Sequence, residues 1–215
     1  MKIYLEQRNL SDDVAKLIRK MILNGTFKPG ERLNQAQLAE DMNISRGPIR
    51  EALKLLENEG LIKHETNKGT SVTTLSTKDA YEIYSLRGLL ESEAARLAAA
   101  NITDKDFARL DELLEEFEDA FLAKDLEQEA SCDIKFHGMI VQLSNHQRLI
   151  RMHQQLDTQV GAMFLTVANK LPLRASMVIE NHQILMDTLR TKDFDKIKRA
   201  FSEHYLDAVK GLAKL

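Results

Sequence analysis

Residues 34–60, NQAQLAEDMNISRGPIREALKLLENEG, decide the fold of the first third of the chain. Asn34 caps a short helix over 35–42 whose inner side is Leu38, Ala39 and Met42. The tripeptide NIS is a tight turn, and Ser45 caps a second helix that runs to about Asn58 and ends at Gly60. Ile49, Leu53 and Leu56, helped by Ala52, form its inner face. Two short helices joined by a turn make a helix-turn-helix. Arg46, Arg50 and Lys54 recur every four residues on the opposite face of the second helix. An Arg in the first turn suits reading of the DNA major groove, because a guanidinium can bond guanine O6 and N7 as a fork. The helix N-terminus itself favours phosphate. A charge row also serves simply as a solvated face; its place on the second helix of a turn-linked pair favours DNA.

Outward from this stretch, SDDVAKLIRKMILN (11–24) predicts a helix with a Val14, Leu17, Ile18, Met21 and Ile22 stripe, capped by Ser11 and stopped by Gly25. FKPGERL is a turn. After Gly60 the period changes: LIKHE and TSVTT flank TNKG, in which Asn67, Lys68 and Gly69 supply turn chemistry, so a β-hairpin is expected. Lys68 at its tip would reach a phosphate or the minor groove, while His64 reads as a surface residue. Helix, helix, helix, hairpin is the order of a winged helix-turn-helix domain, residues 1–75. From Ser76 on, every segment reads as helix: about 77–100, 104–123, 126–143, 146–169, 174–190 and 193–213. STKD and TDKD open the first two as capping boxes. The joints are short and carry Asn101, Asp125, Asn145, Pro172 and Asp193, so residues 76–215 are expected to form an antiparallel six-helix bundle. The fold class is mainly α.

Apolar residues make up 43% of the 215, enough to build a core, and no window approaches the roughly 18 apolar residues of a membrane helix. The N-terminus is too polar and acidic for a signal peptide. Cys132 is the only cysteine, which excludes an intramolecular disulfide framework and a zinc knuckle. A cytoplasmic protein without membrane partners is expected. Residues 1–75 carry a net charge of +2 and residues 76–215 a net −5, an asymmetry too weak to indicate nucleic-acid binding by itself.

In the helical half, DIKFH places Asp133 and His137 four residues apart, on one helix face. Ile134, Ile140 and Val141 turn that face inward. His182 and His204 also lie on apolar faces, of two further helices. Facing helices of a bundle that bring His and carboxylate inward are a common way to hold a metal. Periodicity does not select the set, because His153 looks equally inward and His146 lies close by; satisfied core histidines are the alternative.

The motifs carry a resemblance. NGTFKPGERLNQAQLAEDMNISRGPIREALKLLENEGLI followed by NKGTSV resembles the GntR family of bacterial transcription regulators, through its PG-x-x-L turn, its S-R-x-P-x-R-E-A-L core and its L-x-x-E-G-L close. The resemblance implies base and phosphate contacts by Arg46 and Arg50 and a wing-tip Gly69 in the minor groove; Ser45, Lys54 and Lys68 are expected in the same interface from their places on the helix and hairpin. Gly47 stands where the family often has Thr. The second half resembles the FCD effector domain of the FadR branch, in the six-helix, VanR-like form: D-x-x-F-H at Asp133–His137, S-N at 144–145, H-x-x-I/L-L at His182, and His204 after AFSE. It implies that Asp133, His137, His182 and His204 bind a divalent metal, usually zinc or nickel, whose coordination a small carboxylate completes. His146 and His153 match no ligand position. Asn181 stands where many relatives are acidic. Relatives carry an Arg at the place of Arg87, implying a partner for the effector's carboxylate; an i,i+4 pair with Glu91 is the alternative.

A homodimeric, ligand-responsive regulator, most commonly a repressor, of a pseudo-palindromic DNA operator is therefore expected. The alternatives are a regulator for which the metal is itself the signal and a metal-dependent hydrolase. No acid–base partner accompanies the metal motif, and Cys132 lies about 100° round the helix from the metal face, so no enzyme is expected.

Overall fold

The first helix of the helix-turn-helix is opened by the cap its sequence supplies. In the computed structural model, which describes residues 10–170, 177–206 and 209, Asn34 Oδ1 accepts from the backbone N–H of Ala36 (2.9 Å) and Gln37 (3.3 Å) to open α2, Gln35–Asp41. Asn43 takes a left-handed φ of 51° in the turn. The recognition helix α3, Arg46–Asn58, buries Ile49, Ala52, Leu53 and Leu56. The first helix, α1, spans Leu10–Leu23 and packs on α3. Leu10, ahead of the expected cap, is already helical, so Ser11 lies within the helix. Its buried residues are Val14, Ala15 and Ile18, and Leu17 faces out at 47% exposure. A two-bond fork joins α1 to the end of α3: Arg19 Nε and Nη2 donate to the Glu59 carboxylate at 2.9 and 2.5 Å.

Strands β1 (Ile62–Glu65) and β2 (Gly69–Val72) pair antiparallel, Ile62 opposite Val72 and Glu65 opposite Gly69. Gly69 has φ of 84°, where any side chain would be strained. The segment read as a plain turn adds to this sheet. Arg32 bridges Ser71, Leu33 N–H donates to Thr70 O and Val72 N–H to Glu31 O, each at 2.9 Å. The other edge of β2 is thereby paired. These elements belong to one of two compact units, Met1–Thr74; the other is Leu75–Leu215.

The second unit is helical throughout its described residues: α4 Thr77–Ala99, α5 Asp104–Ala123, α6 Leu126–Leu143, α7 Gln147–Gln154, α8 Asp157–Lys170, α9 Val178–Arg190 and α10 Phe194–His204. Both expected capping boxes form, Ser76 with Asp79 and Thr103 with Asp106. Asp125 and Asp193 cap α6 and α10. The helix expected over 146–169 is two. Leu156 N–H bonds back three residues, to His153 O at 2.9 Å, and this tight turn ends α7. The break serves packing on both sides. Leu149 and Ile150 pack with Ala94 and Val141, while Leu156 joins Ala80, Tyr84 and Met163. The described bundle thus has seven helices rather than six. Pro172, the expected start at residue 174 and residues 210–213 lie outside the described residues.

Phe136, Phe201, Leu110, Ile140, Leu185, Met186, Leu189 and Ile197 form the main core. Gly88 sets the distance between α4 and α10: a Cβ there would lie 3.2 Å from Ser202 O. This close approach brings Arg87 and Glu91 of α4 against Tyr205.

One carboxyl works against this core. Glu129 is 3% exposed under a thin cover near the start of α6, and burial, with Asp125 nearby, pushes its pKa up to about 6. A raised acid contributes stability that is complete below its unfolded value of 4.5 and is lost as pH rises to about 6. Glu129→Gln is therefore expected to stabilise the protein by about 1–2 kcal/mol above neutral pH, with the gain vanishing toward pH 4.5. Urea denaturation at the two pH values measures it; equal stability above neutral pH would contradict it.

Candidate nucleic-acid interface and metal centre

The outward face of α3 presents Ser45, Arg46, Arg50 and Lys54, all exposed, with Ile49, Leu53 and Leu56 buried behind them. The exposed Ser45 hydroxyl makes no capping bond to α3. Glu51 lies between the cations, 3.3 Å from both Lys54 Nζ and Arg50 Nε. These contacts, that of Lys54 foremost, lower its pKa. At the wing tip Lys68 pairs with Glu65 at 2.6 Å and Lys63 with the same carboxylate at 2.8 Å. Together Lys63 and Lys68 hold Glu65 down to about 2. His64 Nδ1 is 3.1 Å from Thr70 Oγ1 within the hairpin. Lys68→Ala is expected to weaken binding evenly across DNA sequences and to flatten the salt dependence by about one phosphate's share. Fluorescence anisotropy across a salt series measures this; an unchanged slope would remove Lys68 from the interface.

In the bundle, α6, α9 and α10 bring three imidazoles together. The rings of His137, His182 and His204 lie 5.0–5.1 Å apart, centroid to centroid. Each offers a ring nitrogen within 4.8 Å of the others'. Asp133 joins them from one turn before His137: its Oδ1 is 3.2 Å from His182 Nε2 and 3.8 Å from His137 Nε2. Phe117 and Phe136 pack edge-on against His182 and close the site on that side.

The partners of the outer ring nitrogens assign the tautomers. His182 Nδ1 lies 2.7 Å from Val178 O, and a carbonyl can only accept, so the proton is on Nδ1. His137 Nδ1 lies 2.7 Å from Glu91 Oε2, at ion-pair distance although off the ideal N–H line. The proton again belongs on Nδ1. In neutral rings both Nε2 atoms then carry lone pairs, and they face each other at 3.1 Å. Two lone pairs at that distance repel unless a proton or a cation lies between them. Burial lowers the pKa of His137 and of His204, the latter further through the neighbouring His182 and His137. Burial alone would raise Asp133, but its close approach to His182, with His137 and the Arg87 guanidinium nearby, holds it well below the usual carboxylate range. Neutral imidazoles and an ionised carboxylate are the forms that bind a divalent metal, so this donor set fits one.

Comparison with known proteins agrees with both halves. Residues 10–72 match the bacterial regulatory proteins of the gntR family, and residues 82–207 match the FCD domain. The HTH-type transcriptional regulator YdhC of Bacillus subtilis is 34% identical over 190 residues, which cover 87% of this chain and 84% of that one. The chain belongs to the GntR family. The gluconate operon transcriptional repressor of Bacillus licheniformis is 29% identical, over 97% of this chain and 86% of its own. The solved structure of Escherichia coli McbR superposes with a TM-score of 0.77 at 29% identity, covering 95% of this chain and 97% of that one. This GntR protein is a DNA-binding transcription regulator. Among its described residues, no helix is long and apolar enough to cross a membrane.

Behind the imidazoles of this GntR regulator lies a charge cluster that sequence reading assembled only in part. Arg87 does pair with Glu91, its Nε 2.6 Å from Oε1, but both side chains are buried, 0% and 1% exposed. The i,i+4 pair is therefore no surface ornament. Glu91 also accepts from Tyr205 Oη at 3.0 Å and from His153 Nε2 at 2.7 Å, and lies against His137. Burial would raise Glu91, yet His137 and Arg87 hold it well below its ordinary value. Arg87 turns its other two nitrogens toward Asp133 (3.8 Å) and Asp157 (3.6 Å). His146 is a cap, its Nδ1 accepting from Leu149 N–H at 3.2 Å, and His153 a buried partner of Glu91; neither belongs to the three-imidazole group. Glu91, His153, Asp157 and Tyr205 were missed as site residues. The signal for Glu91 was present: Ile83, Tyr84, Arg87, Gly88, Glu91, Ala94, Ala95 and Ala98 follow one helical stripe, and a Glu on it must face inward.

Proposed function

We propose that this regulator is a homodimeric, ligand-responsive repressor whose bundle holds a divalent metal, zinc or nickel, on Asp133, His137, His182 and His204, and senses a small carboxylate there. The observation that carries this reading is the pair of Nε2 atoms 3.1 Å apart, each ring having its Nδ1 against an acceptor. Four donors, three neutral and one anionic, are a borderline set suited to zinc or nickel. When bound, the metal supplies a Lewis-acidic position for a carboxylate. Glu91 orients His137 and the Val178 carbonyl orients His182, as outer partners of metal-bound imidazoles do. Arg87, buried and with two nitrogens lacking a hydrogen bond among the described residues, supplies a cationic fork for the effector's acid group. The repressor assignment is supported by repressors among the relatives. Two recognition helices about 34 Å apart would read the halves of a pseudo-palindrome, with Arg46 and Arg50 at base edges and Ser45, Lys54, Lys68 and Gly69 along backbone and minor groove.

By linkage, an effector that binds the off-DNA state better must weaken operator affinity by the same factor. Operator titrations of the full chain, with zinc or nickel removed and restored and with carboxylates added, test the reading. Release by a carboxylate only in the loaded protein is expected. A response to metal alone would instead make the metal the signal, and no response to either would end the sensing proposal.

A further inference from the structure

The recognition helix carries a carboxylate among its cations. Glu51 is half-exposed, and both its partners lie on α3 itself. Its Oε1 accepts from Arg50 Nε and from Lys54 Nζ, each at 3.3 Å, and its Oε2 lies 3.5 Å from Lys54 Nζ. Among the described residues no bond ties it to another element, and exposed pairs within one helix contribute little to stability. An anion in a face that meets polyanionic DNA therefore has some other reason to be there. The bond from Arg50 uses Nε, so both terminal nitrogens of the guanidinium remain to fork onto guanine O6 and N7. Gly47 lies one turn before Glu51 on the same side of the helix. A Cβ there would meet nothing closer than Ser45 Oγ at 3.9 Å, so no side chain at this place keeps a base edge away.

We propose that Glu51 is a positioning residue that sets specificity: by holding Arg50 Nε and repelling phosphate, it commits the Arg50 fork to a guanine. This rests on the base-contacting role given above to Arg50. The two DNA groups that could occupy Arg50 differ in charge. A phosphate at Arg50 is anionic and comes within the screening length of Glu51, about 8 Å at physiological salt, so the two repel. Guanine O6 and N7 are neutral acceptors and meet no such repulsion. Glu51 thus weakens backbone-only binding of arbitrary sequence more than it weakens base-directed binding, and the ratio of the two affinities rises. The wing supplies an internal comparison. Glu65 also bridges two cations, Lys63 at 2.8 Å and Lys68 at 2.6 Å. A wing lysine meets the DNA backbone whatever the sequence, so Glu65 weakens binding to all duplexes alike.

The test starts from a duplex that the full wild-type chain selects out of a random-sequence library. Fluorescence anisotropy at fixed salt then compares this duplex with a scrambled one of the same composition, for the wild type, Glu51→Gln, Glu65→Gln and Arg50→Ala, with thermal melts as the control for folding. Glu51→Gln is expected to tighten binding to the scrambled duplex more than to the selected one, so that their ratio falls about 3- to 10-fold. Placing 7-deazaguanine, which lacks the N7 acceptor, at each guanine in turn should reveal one position where the wild type loses affinity and Glu51→Gln loses less. Glu65→Gln should tighten both duplexes and leave the ratio within about twofold of the wild type. A ratio unchanged in Glu51→Gln, with both duplexes tightened as in Glu65→Gln, overturns the proposal and leaves Glu51 as a plain charge. That result beside a weakened Arg50→Ala contradicts the Glu51 role alone. Wild-type affinities in Arg50→Ala would instead remove the base contact itself, and the role of Glu51 with it.

Discussion

Glu91→Ala is expected to cost the protein about 3–5 kcal/mol of folding stability. The residue accepts from Arg87, Tyr205 and His153 and lies 2.7 Å from His137, all buried. Removing it leaves the Arg87 guanidinium, 0% exposed and far more basic than a free arginine in this setting, without its closest countercharge. Asp133 and Asp157, at 3.8 and 3.6 Å, are too far for hydrogen bonds and only partly replace it. The loss is that of an orphaned charge rather than the worth of the pair. The double replacement Arg87→Met with Glu91→Leu should therefore recover most of the stability. Urea denaturation of the metal-free chain and its variants separates the two. A single-variant loss under about 1 kcal/mol, or a double variant no better than the single, would show that the cluster does not act as a unit.

The second large effect concerns DNA. Arg50→Ala is expected to cost about 1–3 kcal/mol of operator affinity and to relax specificity at one position of each half-site. Arg50 is exposed, and its nearest partner, Glu51, also holds Lys54. Removing the guanidinium thus disturbs no core contact, and stability should be unchanged. The recognition-helix assignment fails if affinity and its salt slope stay as in the wild type. Glu51→Gln serves as the complementary probe: releasing Arg50 and Lys54 from their shared carboxylate should raise affinity for any DNA.

The helix-turn-helix was legible because each of its parts is local. A cap at Asn34, a turn around Asn43 and a 3.6-residue stripe from Ile49 to Leu56 need no information beyond a few residues. The metal candidates were legible in a weaker sense. Asp133 and His137 share a face by helix geometry, whereas the choice of His182 and His204 over His153 came from family resemblance. The structure brings His137, His182 and His204 together and points His153 elsewhere, to Glu91. All four histidines lie on apolar stripes, so periodicity could not distinguish a ring aimed at a shared centre from one aimed at a buried carboxylate. Their directions depend on how α4, α6, α7, α9 and α10 cross, which no single stripe records. The break between α7 and α8 was missed for a related reason. No glycine or proline marks Gln155–Leu156, and the turn forms because the segments on either side pack into different clusters. The contribution of Arg32 to the wing was hidden by a Pro-Gly pair that reads as turn, although the chain beyond it runs along β2.

The proposed function requires a cation between His137 and His182, and metal analysis of the full chain purified without chelator, beside His182→Ala, tests it most directly. The wild type is expected to carry about one zinc or nickel ion per chain, and His182→Ala to lose most of it while still binding operator DNA. Less than one metal per several chains in the wild type, with no uptake on adding zinc or nickel, would contradict it and leave the three imidazoles as a buried hydrogen-bonded cluster.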